Sequence, residues 1–168
     1  MTLARSDHAL RRTTGALFVG GALAFAGAAT VLSATFDWPD VLREPAGTVL
    51  PAFLAGGTSL VWTWFATAWT YAVLLVPMLL LPTVLRRRDD PVLRAATYVG
   101  ATSVVLSLIG FLRWVFVVPA LARSYVGGDA TTKAAVDAAW TAQHQFGGAL
   151  LGNTWANYWP SAGRSPSA

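Results

Sequence analysis

Three long apolar runs, separated by short polar and charged segments, dominate the pattern along the chain. They cover residues 13–35, 60–85 and 95–118, and a helix needs about 20 apolar residues to cross the hydrocarbon core of a membrane. A fourth segment, 131–152, repeats apolar residues at helical spacing but is more polar. We therefore predict an all-α integral membrane helical bundle with three transmembrane helices and a fourth, partial C-terminal helix.

The first run could instead be the apolar core of a cleaved signal peptide, because Arg11 and Arg12 precede it as basic residues precede such a core. The apolar core of a signal peptide is usually only about 7 to 15 residues long, and this run is longer, which favours a transmembrane span. Its many glycines and alanines predict a smooth surface on which another helix can pack closely.

The segments between the spans predict turns and surface structure. We expect a loop over residues 36–59 that lies at the membrane surface and is partly amphipathic from Val41 to Leu54. We also expect a kink at Pro77, whose missing N–H removes a helical hydrogen bond. Gly127 and Gly128 predict the end of the third helical segment, and Thr131 or Thr132 is expected to cap the next helix.

One membrane domain is expected over residues 1–152, followed by an irregular tail over 153–168. The tail is polar and aromatic and then rich in Ser, Pro and Gly. Back-translated with codons of a GC-rich genome, it encodes in the neighbouring frame an apolar continuation that begins Glu-His. We hypothesise that the tail is the frameshifted or truncated end of a longer protein.

Composition supports a membrane location, since 55% of residues are hydrophobic and only 12% are charged, against roughly 25% charged residues in soluble domains. The net charge is +4, but the basic residues are not interleaved with stacking aromatic residues, so we expect the lipid bilayer and not nucleic acid as a partner. The absence of cysteine excludes disulfides and thiolate metal sites. We expect no metal and no cofactor.

Basic residues predict the orientation. Arg86, Arg87 and Arg88 form a cluster between the second and third runs, and the N-terminal arm carries three further arginines. By the positive-inside rule both regions face the cytoplasm, which for a bacterial protein places the chain in the inner membrane. The triple arginine could also bind anionic lipid headgroups.

Arg113 interrupts the third apolar run beside Trp114. An arginine at the centre of a membrane costs about 2.5 to 3.5 kcal/mol and is a candidate functional residue. The 18 residues from Ala95 to Leu112 form about 27 Å of helix, so Arg113 is expected near the outer boundary. Both a structural role at that boundary and a role in a pocket remain open.

Three other polar residues complete the candidate pocket. His144, flanked by two glutamines, could carry protons or make a structural polar contact. Asp37 lies close to Asp40, which suggests either paired carboxylates for catalysis or metal binding, or a polar turn with a helix cap. Asp137 shares helical spacing with His144. The candidate pocket thus comprises Arg113, His144, Asp37 and Asp137, with no residue assigned as catalytic.

Several segments together resemble a bacterial multi-pass membrane family catalogued only as a domain of unknown function. The resemblance implies further spans after Gly152, often opened by a Glu-His pair that this chain lacks in its written frame. The segments that carry it are Trp38-Pro39-Asp40 with Leu42-Arg43, Leu50 to Phe53, the run from Leu112 to Tyr125, and His144 to Gly148.

Two function classes follow. The first is a non-enzymatic membrane protein of unknown activity that packs with itself or with other membrane subunits. The alternative is a small-molecule or ion transporter, or a membrane enzyme, with an outward-side pocket around Arg113 and His144. We favour the first, because no nucleotide-binding loop, zinc-protease helix or nucleophile elbow is present in the sequence.

Overall fold

The computed structural model describes residues 2–144 and 146, and this part of the chain is helical with no strand. A short 3-10 helix, Asp40–Arg43, lies between the first two α-helices. The α-helices are α1 (Thr2–Phe36), α2 (Ala46–Ala72), α3 (Leu75–Val84), α4 (Pro91–Phe116), α5 (Val118–Gly127) and α6 (Ala130–Gln143).

Three helical stretches are long and apolar enough to cross a membrane, namely Asp7–Phe36, Ala46–Val84 and Pro91–Gly127. They confirm the prediction of an all-α membrane protein with three transmembrane helices. The predicted fourth, partial helix corresponds to α6. Its expected continuation to residue 152 and the tail over 153–168 lie outside the described residues.

The first helix is longer than the apolar run that predicted it. Its 35 residues correspond to about 52 Å, well beyond a hydrocarbon core of about 30 Å. The N-terminal arm therefore continues α1 as a helix. Asp7 in that arm accepts a hydrogen bond from Arg86 at 2.6 Å, which joins the arm to the triple-arginine turn.

The loop expected over residues 36–59 is much shorter in the structure, because α2 already begins at Ala46. The segment was expected to be a loop because of its prolines and charged residues, but the partly amphipathic stretch from Val41 to Leu54 contains the start of α2. Val49, Leu50 and Phe53 on that face are buried in the core. Gly57, inside α2, adopts φ 58° and ψ −155°, a conformation essentially confined to glycine, and divides α2 into two parts.

Prolines divide the second and third membrane-spanning stretches. The predicted kink at Pro77 is confirmed, since α2 ends at Ala72 and α3 begins at Leu75. Pro77 cannot donate the hydrogen bond that would have reached Val73. Pro119 occupies the first turn of α5 and separates it from α4 in the same way.

The cap of α6 also differs from the expectation. Asp129, and neither threonine, is the N-cap residue, and its carboxylate accepts a hydrogen bond from the backbone N–H of Thr132 at 2.8 Å. This hydrogen bond and others nearby lower the pKa of Asp129. Aspartate is among the most favoured residues at this position because its oxygen satisfies a free N–H of the first turn.

An aromatic cluster forms the centre of the core. Trp64 of α2 and Trp114 of α4 stack with their ring centroids 4.6 Å apart and an interplanar angle of 4°. Phe36, Phe53 and Trp140 surround Trp114 at centroid distances of 5.5, 5.7 and 5.9 Å. Because these residues come from α1, α2, α4 and α6, the cluster fixes the helices relative to one another and determines where Arg113, next to Trp114, must lie.

Candidate functional site

Arg113 lies in the last turn of α4 and is buried, with 8% of its surface exposed. The helix ends at Phe116, one turn later. Residues near the end of α6 cover this end of α4, because the backbone oxygen of Gln143 contacts Arg113 and the Trp140 ring packs on Trp114. Burial by protein explains how an arginine can remain at the end of an apolar run.

The contacts of the guanidinium group are few and weak. Nη1 donates a hydrogen bond to the backbone oxygen of Gln143 at 3.5 Å, which is long for a charged donor. The guanidinium carbon lies 5.4 Å from the centroid of the Trp114 ring, within the range of a cation–π interaction. Nε is buried and has no hydrogen-bond partner among the described residues.

His144 follows α6 directly and is half-buried. Its Nε2 donates a hydrogen bond to the backbone oxygen of Leu42 at 2.5 Å, and its ring stacks on Trp140 with centroids 5.1 Å apart. A neutral histidine that donates from Nε2 has an unprotonated Nδ1, and this atom has no partner in the described part of the chain. Burial lowers the pKa of His144, and the positive charge of Arg113 lowers it further.

Gln143 is the member of this site that the sequence analysis did not single out. Both polar atoms of its side chain are buried and lack partners among residues 2–144 and 146. Its position three residues after the buried Trp140 was the available signal, since residues at this spacing share a helix face. We call Arg113, Gln143 and His144 the Arg113 cluster.

The two aspartates of the expected pocket do not join the Arg113 cluster. Asp37 and Asp137 are both exposed, and within the described residues neither forms an ion pair. Asp37 adopts a positive φ of 52° at the end of α1. The nearby Asp40 pairs with Arg43 at 2.7 Å, and the described residues contain no group of three potential metal ligands from His, Asp or Glu.

The triple arginine forms a separate site at the other end of the bundle. Arg86, Arg87 and Arg88 are exposed. Arg86 and Arg88 line a cavity of about 320 Å³, together with Arg11 and Asp7 from the arm of α1. Asp7 binds Arg86, and Asp90 lies 3.7 Å from Arg87, so part of the positive charge is neutralised within the chain.

A groove along the outside of the bundle is the third feature. It lies between α1 and α2, has a volume of about 310 Å³ and is almost entirely apolar. We call it the α1 groove. Its lining residues are Ala16, Leu17, Gly20, Gly21, Ala24, Trp69, Thr70 and Val73.

The family model described as Domain of unknown function (DUF4386) matches residues 13–159. The match covers most of the chain and agrees with the resemblance carried by the segments around Arg113 and His144. No curated protein and no solved structure matches the chain.

Proposed function

The chain belongs to the family DUF4386, whose function is unknown, and we propose that it is a non-enzymatic membrane subunit that packs with a second membrane helix through the α1 groove. The second helix comes from another copy of the chain or from another membrane subunit. The composition of the groove carries this proposal.

Small residues repeat along the floor of the groove at the spacing that helix association in membranes requires. Ala16, Gly20 and Ala24 are four residues apart and exposed, and a Cβ atom added at Gly20 would meet nothing within 4 Å. Such small-xxx-small patterns let two helix backbones approach closely, so that van der Waals contacts can drive association in lipid. Exposed leucines or valines would not do this, because lipid tails cover them equally well.

A large side chain stands at the edge of the same groove. Trp69 is 59% exposed and lines the groove opposite α1. A helix lying on Gly20 would bury part of the Trp69 ring and gain dispersion contacts on both sides. The α1 groove thus combines a flat floor with a bulky wall, as a helix-binding surface does.

Substitution of Gly20 by isoleucine tests the proposal. The new side chain would fill the groove and separate the two backbones, so we expect at least a tenfold loss of association. Gly15→Ile is the matched control, because Gly15 also faces open space but lies five residues away, about 140° around the helix. Association would be measured by resonance energy transfer between labelled copies in lipid vesicles.

The absence of cysteine permits a second measurement in native membranes. Gly20→Cys should cross-link to another copy or to one other membrane protein, and Gly15→Cys should not. Cross-linking to itself identifies self-association, and cross-linking to another protein identifies a different subunit. Equal behaviour of the two variants in both assays would contradict the proposal.

The Arg113 cluster favours a second candidate function, a transporter or membrane enzyme that uses Arg113 and His144. The supporting observation is that buried polar atoms of three neighbouring residues lack partners in the described part of the chain. If Arg113→Leu leaves membrane abundance intact but abolishes a phenotype of the gene deletion, this candidate replaces a purely structural role. A change in abundance or folding alone would favour the packing role.

A further inference from the structure

The distribution of carboxylates in the chain makes Arg113 unusual. The sequence contains eight acidic residues, and all eight lie in the part of the chain that the structure describes. They are Asp7, Asp37, Asp40, Glu44, Asp89, Asp90, Asp129 and Asp137.

None of these eight carboxylates lies within ion-pair distance of Arg113. Asp7, Asp40 and Asp90 pair with other arginines, and Asp129 caps α6. The remaining four have no ion pair with Arg113 within the described residues. The positive charge of Arg113 is therefore buried without a paired carboxylate side chain from these 168 residues, an arrangement that destabilises the fold unless a counter-charge is supplied.

We propose that the Arg113 cluster binds a carboxylate group supplied from outside the chain. Two donors without a partner among residues 2–144 and 146 are available to it, the Nε of Arg113 and the Nε2 of Gln143. A guanidinium group offers parallel N–H donors that match the two oxygens of a carboxylate. His144 is held in place by its contacts with Leu42 and Trp140.

The charge of the cluster selects a carboxylate over a phosphate. Arg113 supplies one positive charge, while burial and that charge lower the pKa of His144 and so disfavour a second charge on its ring. One carboxylate neutralises this charge. A phosphate monoester would bring up to two negative charges and leave one of them buried and uncompensated.

The carboxylate has two possible sources, a small carboxylic acid or an acidic side chain of another membrane segment. The proposal does not depend on association through the α1 groove, because the groove is lined by residues 16–24 of α1. The Arg113 cluster instead adjoins Phe36 at the opposite end of α1, through Trp114. If Gly20→Ile does not change association, the proposal of a carboxylate site is unaffected. If no carboxylate binds at the Arg113 cluster, the proposal of association through the α1 groove is likewise unaffected.

Thermal unfolding of the full chain in detergent tests the first source. Acetate, benzoate and octanoate would be added, with chloride at equal ionic strength and the corresponding neutral amides as controls. We expect a carboxylate, and not its amide, to raise the Tm by about 2 to 4 °C, the shift typical of a modest ligand in a protein of this size. Arg123→Gln, a matched exposed arginine, should retain the shift, and Arg113→Gln should lose it.

A second variant tests the acidic side chain. Gln143→Glu would place a carboxylate next to Arg113 within the same chain. If the native counter-charge comes from another membrane segment, no soluble carboxylate will raise the Tm of the wild type, but Gln143→Glu will raise it by a similar amount. If the native ligand is a small carboxylate, Gln143→Glu will both raise the Tm and abolish the effect of added carboxylate.

The proposal is overturned if neither added carboxylates nor Gln143→Glu raises the Tm. It is also overturned if carboxylates raise the Tm of Arg113→Gln as much as that of the wild type. Should Arg113→Gln fail to fold, Arg113→Lys decides the matter, because lysine keeps the charge but lacks the paired N–H donors. In Arg113→Lys, the rise in Tm caused by added carboxylate should be at most half of that in the wild type. An unchanged rise in Tm counts against the site.

Discussion

Arg113 and His144 influence each other through the low-dielectric interior that surrounds them. His144 packs on Trp140, and Trp140 contacts Trp114 beside Arg113. Burial is the main cause of the lowered pKa of His144, and the charge of Arg113 is the second. The two residues thus form one electrostatic unit, although they are 31 positions apart in the sequence.

Removal of the arginine charge should therefore raise the pKa of His144. In Arg113→Gln we expect this pKa to rise but to stay below that of an exposed histidine, because burial remains. The measurement is an NMR titration of labelled histidine, with His8→Gln to assign the two signals and Arg123→Gln as the charge control. An unchanged pKa in Arg113→Gln would show that the two groups do not interact.

The direction of this pKa shift also determines a dependence of stability on pH. The folded protein binds a proton at His144 less readily than the unfolded chain, whose histidine pKa is near the ordinary value of 6.5. The contribution of a neutral His144 to stability is thus complete above about pH 6.5 and is lost as the pH falls below that value. Arg113→Gln should reduce this acid sensitivity.

At the scale of the helices, Gly57 decides the shape of α2. The first part of α2 buries Val49, Leu50 and Phe53, and the second part buries Trp64. Both parts reach the same aromatic core, and the non-helical Gly57 changes the direction of the chain between them.

Gly57→Ala should destabilise the protein by about 1 to 3 kcal/mol, because alanine is strained at the φ and ψ of this residue. Gly15→Ala is the control, since Gly15 lies in regular helix with open space around it and alanine favours helix. Unfolding by a titration with denaturing detergent measures the difference. A stability of Gly57→Ala equal to that of the control would mean that α2 can straighten without loss.

At the scale of the whole molecule, contacts define two ends of the bundle. Asp7 and Arg86 bring the start of α1 and the turn after α3 together at one end. Leu42 and His144 bring the first loop and the end of α6 together at the other. The basic residues are concentrated at the first end, so we propose that the first end faces the cytoplasm of a bacterial inner membrane.

Single cysteines in the cysteine-free chain test this orientation. Arg87 is exposed in the turn after α3, and Glu44 is exposed in the first loop. In intact cells a membrane-impermeant thiol reagent should label Glu44→Cys, whereas Arg87→Cys should react only after permeabilisation. The reverse pattern would invert the proposed orientation, and labelling of both from outside would contradict the two-ended arrangement.

The apolar runs of the sequence were sufficient to predict the class of protein and its three membrane-crossing helices, because the length of an apolar run is fixed by the thickness of the bilayer. The breaks at Pro77 and Gly127 were also predictable. Both follow from local backbone chemistry, in which proline lacks an N–H and two glycines weaken a helix.

Only the tertiary structure decided which residues of the expected pocket meet. Arg113 and His144 come together because the end of α6 lies near the end of α4, where Trp140 packs on Trp114 and Gln143 accepts a hydrogen bond from Arg113. Asp37 and Asp137 remain outside for the same reason, although their spacing looked equally suggestive. The start of α2 at Ala46 and the burial of the polar atoms of Gln143 were not predicted either. Burial depends on partners that are distant in the sequence, and local periodicity does not identify those partners.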